Sequence, residues 1–259
     1  MIFDSHAHLD AKEFDDDRAE VLEKIKKAGV AYVLNPGVDI ETSRAAVKLA
    51  SEYPWIYAAV GYYPQETRHM NYDLLEEIEK LAADPKVKAI GEIGLDYHWD
   101  DTPVRVQQFW FREQIRLAEK LEMPIAIHDR EAHGDVFEIL QEEGAFDRIK
   151  ILFHCYSGSA EFARQLTDRG CYLSIAGPIT YNTNRKAAAV LAVVPEDRLL
   201  VETDSPYLTP VPHRGERNDS SYIVHTIEKA AGYLGKTFEE TAELTYRNAL
   251  EFFGIDGNE

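Results

Sequence analysis

The chain has only two cysteines, Cys155 and Cys171, in 259 residues and no Cys-x-x-Cys pair, so a disulfide framework is excluded and the expected compartment is the cytoplasm. Basic charge is also scarce. Lys and Arg number 28 against 46 Asp and Glu, a formal charge of −18, which excludes a groove that wraps long nucleic acid by neutralising phosphates. No apolar run approaches the roughly 18 residues of a membrane span. The N-terminal residues Met1-Ile2-Phe3-Asp4-Ser5-His6 lack the basic and apolar regions of a secretory signal, so no membrane role is expected. Neither GxGxxG nor GxxxxGK[ST] occurs, which removes a nucleotide cofactor from the expectation. Linkers rich in Ser, Gly or Pro and low-complexity segments are missing too, so residues 1–259 read as a single domain.

What is present is an ordinary globular composition, 45% hydrophobic and 29% charged. Short apolar or β-branched runs alternate with longer stretches of helical spacing. The runs fall at 2–4, 30–34, 56–60, 87–90, 124–127, 149–153, 171–175 and 198–201. The stretches between them are amphipathic: Val21, Leu22, Ile25 and Ala28 share a stripe, as do Val106, Phe109, Trp110, Leu117 and Leu121, and Ile223, Ile227, Ala230 and Leu234. Strands that alternate with helices and are nearly continuous in apolar residues predict an α/β fold, a (β/α)8 TIM barrel.

In such a barrel, function belongs at the C-terminal strand ends. The predicted strands run there into Asp4-Ser5-His6-Ala7-His8, Gly91-Glu92-Ile93-Gly94-Leu95-Asp96, His128, His154 and Glu202-Thr203-Asp204. His6 and His8, two residues apart on an extended chain, point to one face and can chelate an ion; the competing role is a core histidine beside a solvent-facing one. Glu92 lies between Gly91 and Gly94, which predict a bulge or a close backbone approach; its competing role is a salt bridge across the barrel mouth. His128 and His154 end clean apolar strands, and each alone would be structural. Asp204 precedes the strand-breaking Pro206 and would otherwise be a turn cap. Together, four histidines and two carboxylates suit a binuclear site for Zn²⁺, Mn²⁺ or a similar ion, with Mg²⁺ fitting the imidazoles less well. Two such ions imply hydrolysis. Cys155, beside His154, is expected on the opposite strand face as a packing thiol.

Five segments carry a resemblance that runs through the chain. They hold His6-Ala7-His8-Leu9-Asp10, Gly91-Glu92-Ile93-Gly94-Leu95-Asp96-Tyr97, His128-Asp129-Arg130, His154-Cys155-Tyr156-Ser157-Gly158-Ser159 and Glu202-Thr203-Asp204-Ser205-Pro206. In order and spacing they resemble the TatD-type metal-dependent deoxyribonucleases of the amidohydrolase superfamily. The resemblance implies two divalent metal ions (Zn, Mn or Mg), one held by His6, His8, Glu92 and Asp204, the other by Glu92, His128 and His154, with Glu92 bridging. It implies Asp204 as general base and DNA, as single-stranded ends, as substrate of an exonuclease. Arg130 and Arg214 match basic positions suited to substrate phosphate, and Asn218 and Asn248 match family positions whose turn and packing roles compete. One departure stands out: where the family often has Gly-x-His-Pro-His, this chain has Gly61-Tyr62-Tyr63-Pro64-Gln65. Phosphate contacts or leaving-group protonation from that loop are then in doubt, and a nuclease of weaker or different selectivity is expected. Two other classes compete. A superfamily hydrolase of a small ester, lactone or cyclic amide would often carry a carboxylated Lys where this chain has Glu92. A non-catalytic barrel that binds DNA ends or a protein partner would need a closed, structural metal site.

Overall fold

The computed structural model describes residues 1–257. Eight strands alternate with helices: β1 (Ile2–Asp4), α1 (Arg18–Lys27), β2 (Val30–Pro36), α2 (Ile40–Glu52), β3 (Ile56–Val60), α3 (Tyr72–Ala82), β4 (Val87–Asp96), α4 (Val104–Lys120), β5 (Ile125–Arg130), α5 (His133–Glu142), β6 (Ile151–Phe153), α6 (Ala160–Thr167), β7 (Tyr172–Ile175), α7 (Ala187–Leu191), β8 (Leu199–Val201), α8 (Ile223–Leu234) and α9 (Phe238–Phe253). Strand order in the sheet follows the chain from β1 to β8. The fold is the expected (β/α)8 barrel. Among the described residues, no helix is long and apolar enough to cross a membrane.

The chain divides into two compact units, Met1–Asn35 together with the chain from Cys155 on, and Pro36–His154. In the first unit, β1 pairs in parallel with β2, and β7 with β8. Phe3 on β1 stacks on Phe253 of α9 with ring centroids 5.6 Å apart, and Phe252 meets Tyr172 of β7 edge-on at 5.0 Å. Each such ring removes apolar surface worth about 1.5–3 kcal/mol from water. Helix α9 starts at a capping box in which Thr237 and Glu240 satisfy each other's backbone N–H groups, and it stops at Gly254 with φ of 60°. Asn248 on α9 donates to the carbonyls of Glu196 and Leu199 at 2.7 and 2.8 Å, which ties the helix to the start of β8.

In the second unit, β3 pairs with β4, β4 with β5 and β5 with β6. Two expectations are corrected here. The fourth strand does not stop at residue 90. A register shift between Ile90 and Ile93 absorbs the bulge, and pairing then resumes with Gly94 opposite His128 and Asp96 opposite Arg130. Gly94 is required at this point, since a Cβ would overlap the His128 carbonyl oxygen. Glu92, Asp96, His128 and Arg130 thus lie within strands rather than beyond them. The stripe on α4 shifts in part: Trp110 and Leu117 are buried as expected, but Phe109 is 46% exposed, because the rest of the buried face is Gln107, Phe111, Gln114, Ile115 and Ala118. Gln107 and Gln114 belong to that face because their amides bond the Asp96 backbone and the Tyr62 backbone respectively.

Candidate metal centre

In the first unit, the chain past β1 stays extended because its backbone keeps pairing. Ser5 N donates to Val201 O at 3.1 Å, Ala7 N to Leu34 O at 3.0 Å and His8 N to Ser205 O at 2.8 Å. This pleat puts the His6 and His8 rings on one side, with their Nε2 atoms 3.3 Å apart. Asp204 completes the set, with Oδ1 at 3.8 Å from His6 Nε2 and 3.6 Å from His8 Nε2. It sits in the left-handed region at φ of 54°, an unusual conformation for a residue with a Cβ, held by its N–H bond to His6 O at 2.9 Å.

Behind this set lies a brace that sequence reasoning left unassigned. Asp4 is wholly buried and accepts from Thr203 N at 2.9 Å and Thr203 Oγ1 at 2.6 Å. Burial pushes its carboxyl up to about 7 against these hydrogen bonds. Asn218 donates to the carbonyls of Thr203 and Tyr207 at 3.0 and 2.6 Å. Asn218 and Asn248 therefore hold backbone.

In the second unit, Glu92, His128 and His154 converge. Glu92 Oε1 lies 2.9 Å from His128 Nδ1 and 3.0 Å from His154 Nε2, and those two nitrogens are 3.3 Å apart. The far side of the His128 ring is taken by Asp96, whose Oδ2 is 2.9 Å from Nε2. Tyr63 donates its hydroxyl to the same Asp96 oxygen at 2.7 Å, and its ring meets His128 at 4.7 Å. Burial alone would raise the Asp96 pKa, but hydrogen bonds from His128 and Tyr63 bring it down to about 2. For His128, burial opposes protonation, yet the bonds to Asp96 and Glu92 outweigh it and raise its pKa. Two carboxylates flanking one imidazole make a field suited to a cation. With the Nε2 proton directed at Asp96, Nδ1 is the nitrogen available as a ligand, an orientation such outer carboxylates commonly impose.

Both donor sets fit an ion. Ligand atoms around one ion at 2.0–2.2 Å lie about 3–3.6 Å from one another, and the six separations above fall close to that. Each set offers two imidazoles and a carboxylate, a mixture that suits zinc or manganese.

The departures from the family pattern have definite positions. Tyr63 holds Asp96, and Gln65 Nε2 donates to the carbonyls of Asp96 and Trp99 at 2.9 and 3.0 Å while its Oε1 accepts from Thr102 N at 2.8 Å. Gln65 thereby fixes the loop between β4 and α4. Arg130 and Arg214 are exposed and lie over aromatic rings, Arg130 at 5.7 Å from the Trp99 centroid and Arg214 at 4.4 Å from that of Tyr181. Cys155 is half-buried and does not take the expected place on the opposite strand face, because β6 ends at Phe153 and Cys155 turns the chain at φ of 44°, which breaks strand alternation. Asp96 and Tyr63 were missed as site residues. Asp96 was legible, lying four residues after Glu92, an even spacing that shares a strand face; Tyr63 comes from another strand's loop and carried no local signal.

The chain is 44% identical over 256 residues to the uncharacterized metal-dependent hydrolase YabD of Bacillus subtilis, covering 99% of this chain and 100% of that one. It is 32% identical to the 3'-5' ssDNA/RNA exonuclease TatD of Citrobacter rodentium, over 98% of each. Among solved structures, the TatD homolog YjjV of Escherichia coli matches with a TM-score of 0.92 at 28% identity over 98% of both chains. The family model for TatD related DNase matches residues 3–254, so the chain belongs to the TatD-related family of metal-dependent hydrolases.

Proposed function

We propose that the chain is one catalytic domain that hydrolyses phosphodiester bonds at the 3′ ends of single-stranded nucleic acid, DNA in the first place, with two divalent ions. One ion is assigned to His6, His8 and Asp204, the other to Glu92, His128 and His154. The observation that carries the reading is the pair of matching donor sets, each two imidazoles and a carboxylate at ligand spacing. The exonuclease names of the Citrobacter rodentium and Cronobacter sakazakii relatives supply the substrate class.

Bound there, the ions would supply positive charge to the phosphate oxygens and lower the pKa of a water. Asp204 is the general base: its carboxylate takes the proton of the attacking water. Arg130 and Arg214 hold substrate phosphate. Neither makes a salt bridge with a carboxylate among the described residues, and resting each guanidinium on a ring leaves its N–H fork free for bidentate contacts. Asp96, steadied by Tyr63, keeps the His128 ring in its liganding orientation.

Ion content by mass spectrometry, followed by release of mononucleotides from a single-stranded oligonucleotide with Mn²⁺ or Mg²⁺, tests the assignment. Wild type should release nucleotides, and Glu92→Ala should lose roughly 10³-fold, about 4 kcal/mol of transition-state stabilisation. Equal activity in both proteins would overturn the two-ion reading. An ion-loaded wild type that cuts neither DNA nor RNA would move the assignment to a small ester, lactone or cyclic amide.

A further inference from the structure

Outside the two donor sets, the first unit holds a cavity of about 230 Å³ between the segment that follows β6 and the segment around α7. One wall is apolar and rigid, made by the buried side chains of Ile175, Ile179, Ala187 and Val190. The facing segment is also fixed. Tyr156 N donates to Ser174 O at 2.9 Å and its hydroxyl to Ser159 O at 2.6 Å, and a Cβ at Gly158 would run into the Tyr156 ring. Asn184 pins the loop before α7, donating to Pro178 O and accepting from Ala187 N, both at 3.2 Å. The rim differs from the walls: Ser157 and Lys186 are exposed, and neither side chain has a hydrogen-bond or ionic partner among the described residues.

Size and chemistry together select the ligand. The volume is below the ~300–1,000 Å³ typical of pockets for drug-sized molecules, so the cavity takes one ring system and not a stacked pair. Apolar walls suit the faces of a flat ring, the Ser157 hydroxyl suits its polar edge, and the Lys186 ammonium suits an anion attached to it. An aliphatic acyl group would satisfy the walls and leave Lys186 without a counter-charge. The cavity also takes in Ile175, the last residue of β7, and so lies at a C-terminal strand end, where barrels of this kind keep their ligands.

We propose that this cavity receives the base of the terminal nucleotide, with Lys186 on that nucleotide's phosphate. The proposal rests on the phosphodiesterase reading above and names where that substrate's base is held. An acidic protein with a slot this short would then engage one nucleotide at a strand end rather than track along a polymer.

The test has a binding arm and an activity arm. In the binding arm, 2′-deoxyadenosine and dAMP are titrated into the ion-loaded protein by saturation-transfer NMR. Wild type should saturate with both; Ala187→Phe, which fills the cavity, should lose both, and Lys186→Glu, at an exposed position, should weaken dAMP at least fivefold while leaving 2′-deoxyadenosine unchanged. In the activity arm, an oligonucleotide with a normal 3′-terminal nucleotide is compared with one whose terminal residue is abasic. Wild type should prefer the normal end at least tenfold in kcat/KM, and Ala187→Phe should abolish that preference while circular dichroism shows the fold retained. No saturation by 2′-deoxyadenosine in wild type, or an unchanged preference in Ala187→Phe together with unchanged dAMP binding in Lys186→Glu, overturns the proposal. If wild type cuts neither oligonucleotide, the phosphodiesterase reading fails by itself, and the nucleoside titration still decides whether the cavity takes a base.

Discussion

The two donor sets use the same chemistry and are built in different ways. His6, His8 and Asp204 are aligned by backbone: an extended chain past β1 whose N–H groups pair with Val201, Leu34 and Ser205, and an Asp204 N–H bonded to His6 O. Glu92, His128 and His154 come from three strands or their ends whose backbones are paired as well, Glu92 N with Gly37 O and His154 N with Ile127 O, but the His128 ring is oriented by side chains, with Tyr63 acting on Asp96 and Asp96 on His128. A set held by backbone should tolerate changes around it until folding itself suffers. A set held through side-chain hydrogen bonds should lose ion affinity when any link is cut, with the fold intact.

Removing a donor gives the largest expected effect and applies equally to both sets. Asp204→Asn should lower kcat on a single-stranded oligonucleotide by roughly 10³-fold, about 4 kcal/mol, and a variant with near wild-type turnover would remove Asp204 from the role of base. The next effect separates the sets. Asp96→Asn keeps the shape and weakens the hold on the His128 proton, so affinity for one of two ions should fall about 10–100-fold. Ion stoichiometry in equilibrium dialysis should drop from two toward one, and two ions retained at wild-type affinity would break the distinction. In the first set the corresponding change is Thr203→Val, which strips the Oγ1 donor from the buried Asp4 carboxylate. It should cost about 1–3 kcal/mol of stability, read as a lower Tm, with ion affinity unchanged; a shift in affinity without loss of stability would contradict a backbone-held set. Tyr63→Phe should be smallest. It removes one hydrogen bond to Asp96, worth about 0.5–1.5 kcal/mol, and should raise the apparent ion Kd about two- to tenfold.

Where the family loop often has two histidines, Tyr63 supports the His128 ring through Asp96, and Gln65 holds the loop at Trp99 and Thr102. A Tyr63→His/Gln65→His variant should therefore differ from wild type in turnover of a single-stranded oligonucleotide. Equal turnover would make the loop irrelevant to selectivity.

Composition, spacing and residue type carried the barrel. Apolar runs such as those at 56–60 and 2–4 are strands because burial on both faces demands it, and their edges came out within a residue or two. His6 and His8 were readable as a pair because a two-residue spacing fixes relative direction locally, and Gly91 and Gly94 announced the bulge because only glycine fits there. Local sequence did not reveal how far β4 and β5 run, that Phe109 faces outward, that Cys155 leaves the strand pattern, or that Tyr63 and Asp96 stand behind His128. Each depends on a partner distant in the chain: pairing of residues 94–96 with 128–130, the turn of Gln107 and Gln114 to the backbone of other elements, the donation of Tyr63 to Asp96 across 33 positions. Periodicity determines which way a side chain leaves its own backbone. Only the packed chain decides what it meets, because the meeting group is supplied by an element whose arrival no short stretch of sequence encodes.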